Sequence, residues 1–478
     1  MPGRTTPCAP LLRGLSGRGL VMALCASVPL ACVSVPPKPR PDPASTLLHF
    51  EQRRLDGLYA GAPPLAAGWD RAQWLSAALI LNPDLAEARA RAMAVAAAER
   101  TAAQRPNPTL NLFGEYIAAA AGGVGWLYGL SVDFLLQRPG ERDRARLSAA
   151  LQTQAAQSDV AESIWQVRTQ LHEALLDAAY AEDQAALLET LVRQRTGLRA
   201  SAEARARAGE ISTAEVPPAT LELAAAQQRL DRARTRAIDA RVRVADAVGV
   251  PAAALDEAPL RWPGWADIDA LAPALSEQLR AEALIGRPDL VRTLREYDLA
   301  ENALRSELAH RWPEFHLVPG YAWDKGGVRE NQLNETLHDN EIGLSTELPL
   351  FHRNEGPIGE ALARRELAGK HLEAVQADLF GQIERAQRAW PRARAAWRNA
   401  AAAALTAQRQ NELQQRALEA GASERSSALS AAAAATEAQL LTLDAAYEAQ
   451  QAYAALESAY RRPLDGPECD LPLRWSTE

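Results

Sequence analysis

Ala78-Leu79-Ile80-Leu81-Asn82-Pro83-Asp84-Leu85 returns later in the chain as Ala283-Leu284-Ile285-Gly286-Arg287-Pro288-Asp289-Leu290. Gly129-Leu130-Ser131 returns as Gly343-Leu344-Ser345, and Arg207-Ala208-Gly209-Glu210-Ile211-Ser212 is echoed by Glu419-Ala420-Gly421-Ala422-Ser423. Pro251 has its counterpart in Pro463. The matches keep their order, so the chain is a duplicated unit and its fold must be read twice over.

Each unit reads alike. A helix is predicted over 70–104 and 275–311, ended by Pro106 and Pro313. Two short alternating segments follow, then a very long helix over 141–207 and 358–419 that stops at Gly209 or Gly421, residues suited to a left-handed C-cap. A return helix runs on to about 248 and 461. A helix of that length reaches roughly 100 Å, more than a globular domain needs, so it must lie against partners along its course. Pro217-Pro218 fits a return helix that begins near Val216, and Pro391 predicts a kink deep in the second long helix.

The short segments carry the two-residue period of strands. Thr109–Ile117 sets Leu110, Leu112 and Tyr116 against Thr109, Asn111 and Glu115. Residues 126–136 set Trp126, Tyr128, Leu130, Val132, Phe134 and Leu136 against Gly129, Ser131 and Asp133. Residues 315–324 set Phe315, Leu317, Tyr321 and Trp323 against His316, Gly320 and Asp324. Residues 341–350 set Ile342, Leu344, Leu348 and Leu350 against Glu341, Ser345 and Glu347. Each run matches the length of a tilted transmembrane strand, and aromatics near the ends suit interfacial girdles. Taken singly, the same runs would also fit half-buried strands of a soluble sheet. Four strands cannot close a barrel, whereas three copies of four can.

The 478 residues are 47% hydrophobic but only 5% aromatic, and the formal charge is -8. Alanine-rich sequence with Glu, Arg, Gln and Leu favours long, closely packed helices over a globular enzyme core. The acidic balance argues against a nucleic-acid partner. Of Cys8, Cys25, Cys32 and Cys469, none stands in a metal-binding spacing. Seven scattered histidines form no HExxH motif, and no phosphate loop or nucleophile elbow is present, so neither metal, cofactor nor catalytic residue is expected. His310, His316 and His352, around the third and fourth strands, are the candidates for a metal-selective lumen.

The N-terminus reads as an export signal over 1–31: Arg4, Arg13 and Arg18 precede the apolar run Leu20–Ala31. Pro29-Leu30-Ala31-Cys32 is similar to a lipoprotein cleavage box, with Cys32 as the acylated residue; plain signal cleavage nearby is the alternative. Residues 32–69 then form a tether that opens with a proline-rich stretch, followed by a first repeat (70–250), a linker (251–274), a second repeat (275–463) and a tail (464–478).

In combination these residues resemble the TolC-type outer-membrane efflux family: two repeats of helix, strand, strand, long helix, tip turn and helix. Each repeat opens with Ala78-Leu79 and Pro83-Asp84-Leu85, or Ala283-Leu284 and Pro288-Asp289-Leu290. Leu348-Pro349-Leu350-Phe351 with Asn354, Gly356 and Ile358, and the tip Arg207-Ala208-Gly209 with Ser212, extend the likeness over 70–461. Asn354-Glu355-Gly356-Pro357-Ile358 leans toward the branch that exports cobalt, zinc and cadmium.

The resemblance implies a mainly α-helical homotrimer in which a twelve-stranded β-barrel crosses the outer-membrane lipid and twelve helices form a periplasmic tunnel. It implies a passive duct for small molecules or metal ions. That duct would be served by a periplasmic adaptor protein and an inner-membrane transporter of the RND type. Surface loops would fall at 118–125 and 325–340, and residues 249–275 would join an equatorial collar. By the same resemblance the adaptor meets Gly209, Ile211, Ser212, Gly421 and Ser423, although those glycines and serines also serve as ordinary helix caps. Glu412 and Glu419 near the second tip are the candidate gate residues. Two other readings share the sequence: a lipid-anchored periplasmic coiled-coil structural or adaptor protein, and the exit duct of a protein secretion system.

Overall fold

The computed structural model describes residues 38–58, 64–118, 124–256, 258–260, 262–273, 275–325 and 337–470. Cys32, the signal segment and most of both expected surface loops lie outside the described residues. The chain divides into an N-terminal unit ending at Gln52 and a main unit beginning at Arg53. In the first, helix α1 (Pro43–Glu51) is capped by Asp42, whose carboxylate accepts N–H bonds from Ala44 and Ser45.

In the main unit each repeat opens with two helices where one was expected. They are α2 (Arg71–Leu81) and α3 (Pro83–Ala102) in the first repeat. Their second-repeat counterparts are α6 (Glu277–Gly286) and α7 (Pro288–Ala309). The break falls before Pro83 and Pro288, because a residue ahead of proline is pushed out of the helical region. Asn82 (ψ 123°) and Arg287 (ψ 137°) are accordingly extended.

The repeated signature is the joint of the fold. Asn82 is buried; its side chain caps α3 through the Leu85 N–H at 3.0 Å and donates to the Ala247 carbonyl at 2.9 Å. Arg287, also buried, donates to the Ala459 carbonyl at 2.7 Å and pairs with Asp289 at 2.6 Å. Ala247 and Ala459 lie at the far ends of the two return helices, so the same motif closes both repeats onto themselves.

Strands β1 (Thr109–Ala118) and β2 (Val124–Leu136) lead into α4 (Glu141–Ala208), and α5 (Val216–Val248) returns. After α6 and α7, strands β3 (Phe315–Lys325) and β4 (Leu337–Thr346) lead into α8 (Glu355–Glu419), and α9 (Arg425–Tyr460) returns. Both long helices start after a left-handed residue, Gly140 (φ 72°) or Asn354 (φ 65°). In each case the first glutamate accepts a backbone N–H from the preceding arginine: Glu141 from Arg138 at 3.0 Å, Glu355 from Arg353 at 2.8 Å. Pro217 and Pro218 sit in the first turn of α5, where no donor is lost. α8 continues as helix through Pro391.

β4 ends at Thr346, not 350. Pro349 cannot donate to a ladder, and Leu350 N–H instead turns back to the Leu348 carbonyl at 2.8 Å. The strand gains 337–340, which pair with Asp324–Tyr321. Residues Leu55 and Trp69, expected within the tether, are buried in the core formed by α2, α4 and α5. Cys469 is free and exposed.

Candidate functional site: a two-faced sheet and two hairpin tips

The four strands form one antiparallel sheet in the order β1-β2-β3-β4, with β1 and β4 at the edges. The register aligns the predicted apolar positions: Leu112 with Leu130 and Tyr321, Tyr116 with Trp126, Phe134 with Leu317 and Leu344. This face is open in the single chain, with Leu112 73%, Leu344 66% and Ile342 82% exposed. At its loop end the rings of Tyr116, Trp126, Tyr128 and Trp323 touch in series, 5.0, 5.8 and 5.9 Å between centroids. Tyr321 and His338 continue the series, their side chains bonded at 2.6 Å. The opposite face is mixed and carries Glu115, Asp133, Asp339 and Glu341, with no lysine or arginine among its described positions. Phe113 lies on this side, its ring over Gly129, where a Cβ would come within 2.2 Å of it. Open apolar face and acidic reverse face are what an outward lipid surface and an inward water-filled wall require. No described helix is long and apolar enough to cross a membrane.

At the other extreme, the two hairpin tips are built alike. Gly209 (φ 74°) and Gly421 (φ 71°) are left-handed, and around each the chain closes with the same pair of bonds. Gly209 N–H donates to Ala206 O and Glu210 N–H to Arg205 O; Gly421 N–H donates to Leu418 O and Ala422 N–H to Ala417 O. This is the double bond pattern that satisfies the last carbonyls of a helix. Ser212 caps the following turn through Ala214 N–H at 3.2 Å, with Glu215 reaching back to its own N–H. Ile211 is half-buried, and Ser423 donates to Gln414 at 2.9 Å. Arg205 bridges the tips, 3.3 Å from Glu210 and 3.5 Å from Glu424. Glu412 and Glu419 are exposed on α8, Glu419 as its last residue, two positions before Gly421. Nothing lies within 4 Å of where a Cβ would stand at Gly209 or Gly421, so both tips present bare backbone.

Residues 279–460 match the outer membrane efflux protein family. The second repeat is an outer membrane efflux protein domain. Most of the chain superposes on solved outer-membrane proteins, which shows the fold. It is 17% identical to VceC of Vibrio cholerae with a TM-score of 0.63, covering 83% of this chain and 98% of that one. The gonococcal outer-membrane channel MtrE (Neisseria gonorrhoeae), solved in its open state, is 18% identical at TM-score 0.62, with 82% and 88% covered. The channel CusC is 17% identical at TM-score 0.63, with 89% and 98% covered. No curated protein matches the chain.

The helices hold two polar centres that the sequence does not announce. Arg168 of α4 pairs with Glu457 of α9 and with Glu468, both at 2.7 Å, and all three side chains are almost fully buried. Burial pushes the Glu457 carboxyl above its usual value, against the pull of Arg168. His172, one turn on, is buried against Trp262; desolvation and the charges of Arg168 and Arg71 hold it well below the ordinary imidazole range. Asp177 gathers Arg236 at 2.9 Å, Arg243 at 2.5 Å and the Tyr447 hydroxyl at 2.6 Å, joining α4, α5 and α9. Desolvation, reinforced by Asp177, pushes the Tyr447 hydroxyl up to about 12. Of the candidate metal-binding histidines, His316 bonds Asp133 at 2.9 Å and His310 lies 3.3 Å from Glu307, while His310 and His352 border one cavity. Among the described residues no three His, Cys, Asp or Glu side chains converge on a metal position.

Proposed function

We propose that this chain is the outer-membrane subunit of a tripartite efflux pump, a passive duct whose energy comes from an inner-membrane transporter of RND type. The observation that carries the reading is the sheet with an exposed, aromatic-bordered apolar face and an acidic reverse face. A single chain supplies four strands with two bare edges, and unpaired edges in lipid are prohibitively costly, so closure calls for further copies. A homotrimer, pairing β4 of one copy with β1 of the next, gives a closed twelve-stranded barrel with the apolar face outward. The long helices then continue the barrel as a periplasmic tunnel, with residues 251–274 in its collar. Acylation at Cys32 would add a lipid anchor. The tips at Gly209, Ile211, Ser212, Gly421 and Ser423 are where a periplasmic adaptor docks, on backbone left open by the two glycines, with Glu412 and Glu419 as candidate gate residues beside them.

Single-channel recording of the purified protein in a planar bilayer, with native mass spectrometry on the same sample, tests the proposal. Discrete conductance steps from a trimer are expected. A stable monomer, or a trimer that stays silent even when the tip is opened by Gly421→Asp, would overturn it in favour of a lipid-anchored structural protein.

A further inference from the structure

The helices of the main unit pack side by side in the order α5, α4, α9, α8, which leaves α5 and α8 as the two lateral edges. At one level the two edges carry short stripes of opposite charge. Between Glu384 and Glu412, α8 holds Arg385, Arg388, Arg392, Arg394, Arg398 and Arg409 and no acid. Arg394 and Arg398 are turned to Asp269, at 2.9 and 2.6 Å. Arg385, Arg388 and Arg392 fall at helical spacing on one stripe, opposite the face that buries Ile383, Ala386 and Trp390. Arg385 and Arg388 are 72% and 70% exposed and reach Asp378 and Glu384 only at 3.7 Å, pairs worth little in water. Arg392 is exposed and has no ion-pair partner among the described residues.

On α5 the same spacing recurs as Asp239, Val242 and Asp246, all exposed, beside Ile238 at 67% exposure. This stripe lies opposite the buried Ala233, Ala240 and Val244. Neither aspartate has an ion-pair partner among the described residues. The arginines of α5 nearest to them are committed inward: Arg236 and Arg243 to Asp177, and Arg241 to the Leu255 and Ala258 carbonyls.

The two stripes also stand at one height. At about 1.5 Å per residue from the bridged tips, Arg388 and Asp246 both lie about 50 Å up, and Arg392 and Asp239 about 40 Å. The same rule sets Arg229 level with Glu437, and these two are bonded at 2.9 Å.

We infer that the basic stripe Arg385-Arg388-Arg392 of one copy docks on the acidic stripe Asp239-Val242-Asp246 of a second copy, fixing the vertical register of neighbouring subunits. The inference rests on the trimer proposed above and names its collar-level contact. Opposite charge across such an edge selects the partner and its register, and like charge rejects a shifted one. One stripe of each sign on opposite edges makes a head-to-tail contact, which lets the three copies of the proposed trimer form a closed ring.

The test is charge reversal in the full-length protein in detergent, read as trimer fraction by native mass spectrometry. Arg388→Glu with Arg392→Glu is expected to lower the trimer fraction about tenfold, and adding Asp239→Arg with Asp246→Arg to restore it. Should reversal impair folding, Val242→Cys with Ala389→Cys in a Cys469→Ser background is expected to give dimers and trimers cross-linked between chains on mild oxidation. A reversal that leaves the trimer intact, a reciprocal swap that fails to restore it, or cysteines that do not join separate chains would overturn the contact while leaving the trimer standing. A wild-type protein that is monomeric would overturn the trimer itself.

Discussion

Asn82 and Arg287 hold the same place in the two repeats: each is the extended residue before a proline, and each donates a hydrogen bond to a carbonyl at the end of a return helix, Ala247 or Ala459. Different side chains thus perform one task, and the task explains why the Pro-Asp-Leu signature is repeated at all. It ties the opening helices of each repeat to its last helix.

Asn82→Ala should therefore remove a helix cap and leave the buried Ala247 carbonyl unpaired, at a cost of about 1–3 kcal/mol. Arg287→Met should cost about 2 kcal/mol, and it should also change the response to acid. Burial alone would raise the Asp289 carboxyl, but Arg287 holds it below its usual 3.8. A depressed carboxylate stabilises the fold above its unfolded value and loses that contribution as pH falls through the folded one. Thermal unfolding as a function of pH should show a shallower acid-side decline in Arg287→Met than in the wild type.

The Arg168–Glu457–Glu468 centre carries the opposite pH signature. The folded carboxyl of Glu457 lies above its usual 4.5, chiefly through desolvation. A raised carboxyl costs the fold stability as pH climbs through that window, and the pairing with Arg168 limits the cost. Arg168→Met should strand two buried acids, costing about 3–5 kcal/mol near neutral pH. Because the variant's Glu457 must rise further still, its deficit in melting temperature should narrow as pH is lowered. A deficit that stays constant from neutral to acid pH would mean that Glu457 stays charged without its partner.

The duplication, the four strands and both tip glycines were legible in the sequence because each is a local pattern: a recurring motif, a two-residue period, a glycine after a helical run. The break before Pro83 and Pro288 was missed: Asn82 and Arg287 each precede proline, the signal that could have shown it, but the apolar run on either side reads as a single helix. The end of β4 was misread because Leu348 and Leu350 keep the alternation beyond Thr346, while Pro349 denies the ladder its donor. Arg168 and Glu457 stand far apart in sequence and meet only when α4 packs on α9, so nothing local marks them. Nothing in the sequence separates Asp177, which collects three partners from two other helices, from any other acid on a solvated helix.

The apolar face of the sheet gives a directional test. Leu112→Lys, at an exposed apolar position in the middle of β1, should oppose insertion by about 2–4 kcal/mol if that face meets lipid. Glu341→Gln on the acidic face should insert normally. Folding yield into phospholipid vesicles, read by resistance to added protease, compares the two. Equal yields would remove the distinction between the faces on which the channel reading stands.

The same sheet holds a lock on its acidic face. Phe113 covers Gly129, and the ring can lie there only because position 129 has no side chain; a Cβ would stand 2.2 Å from its tip. Aromatic cover of a strand glycine pins the register of β1 against β2, since a slip by one residue would turn Phe113 to the opposite face. Gly129→Ala should displace the ring and cost about 1–3 kcal/mol through overpacking. Phe113→Leu in the same chain should recover most of that loss by giving the methyl group room, although the single Phe113→Leu is itself destabilising. Urea unfolding of the four proteins forms a double-mutant cycle, and a coupling energy near zero would mean that the ring and the glycine are independent.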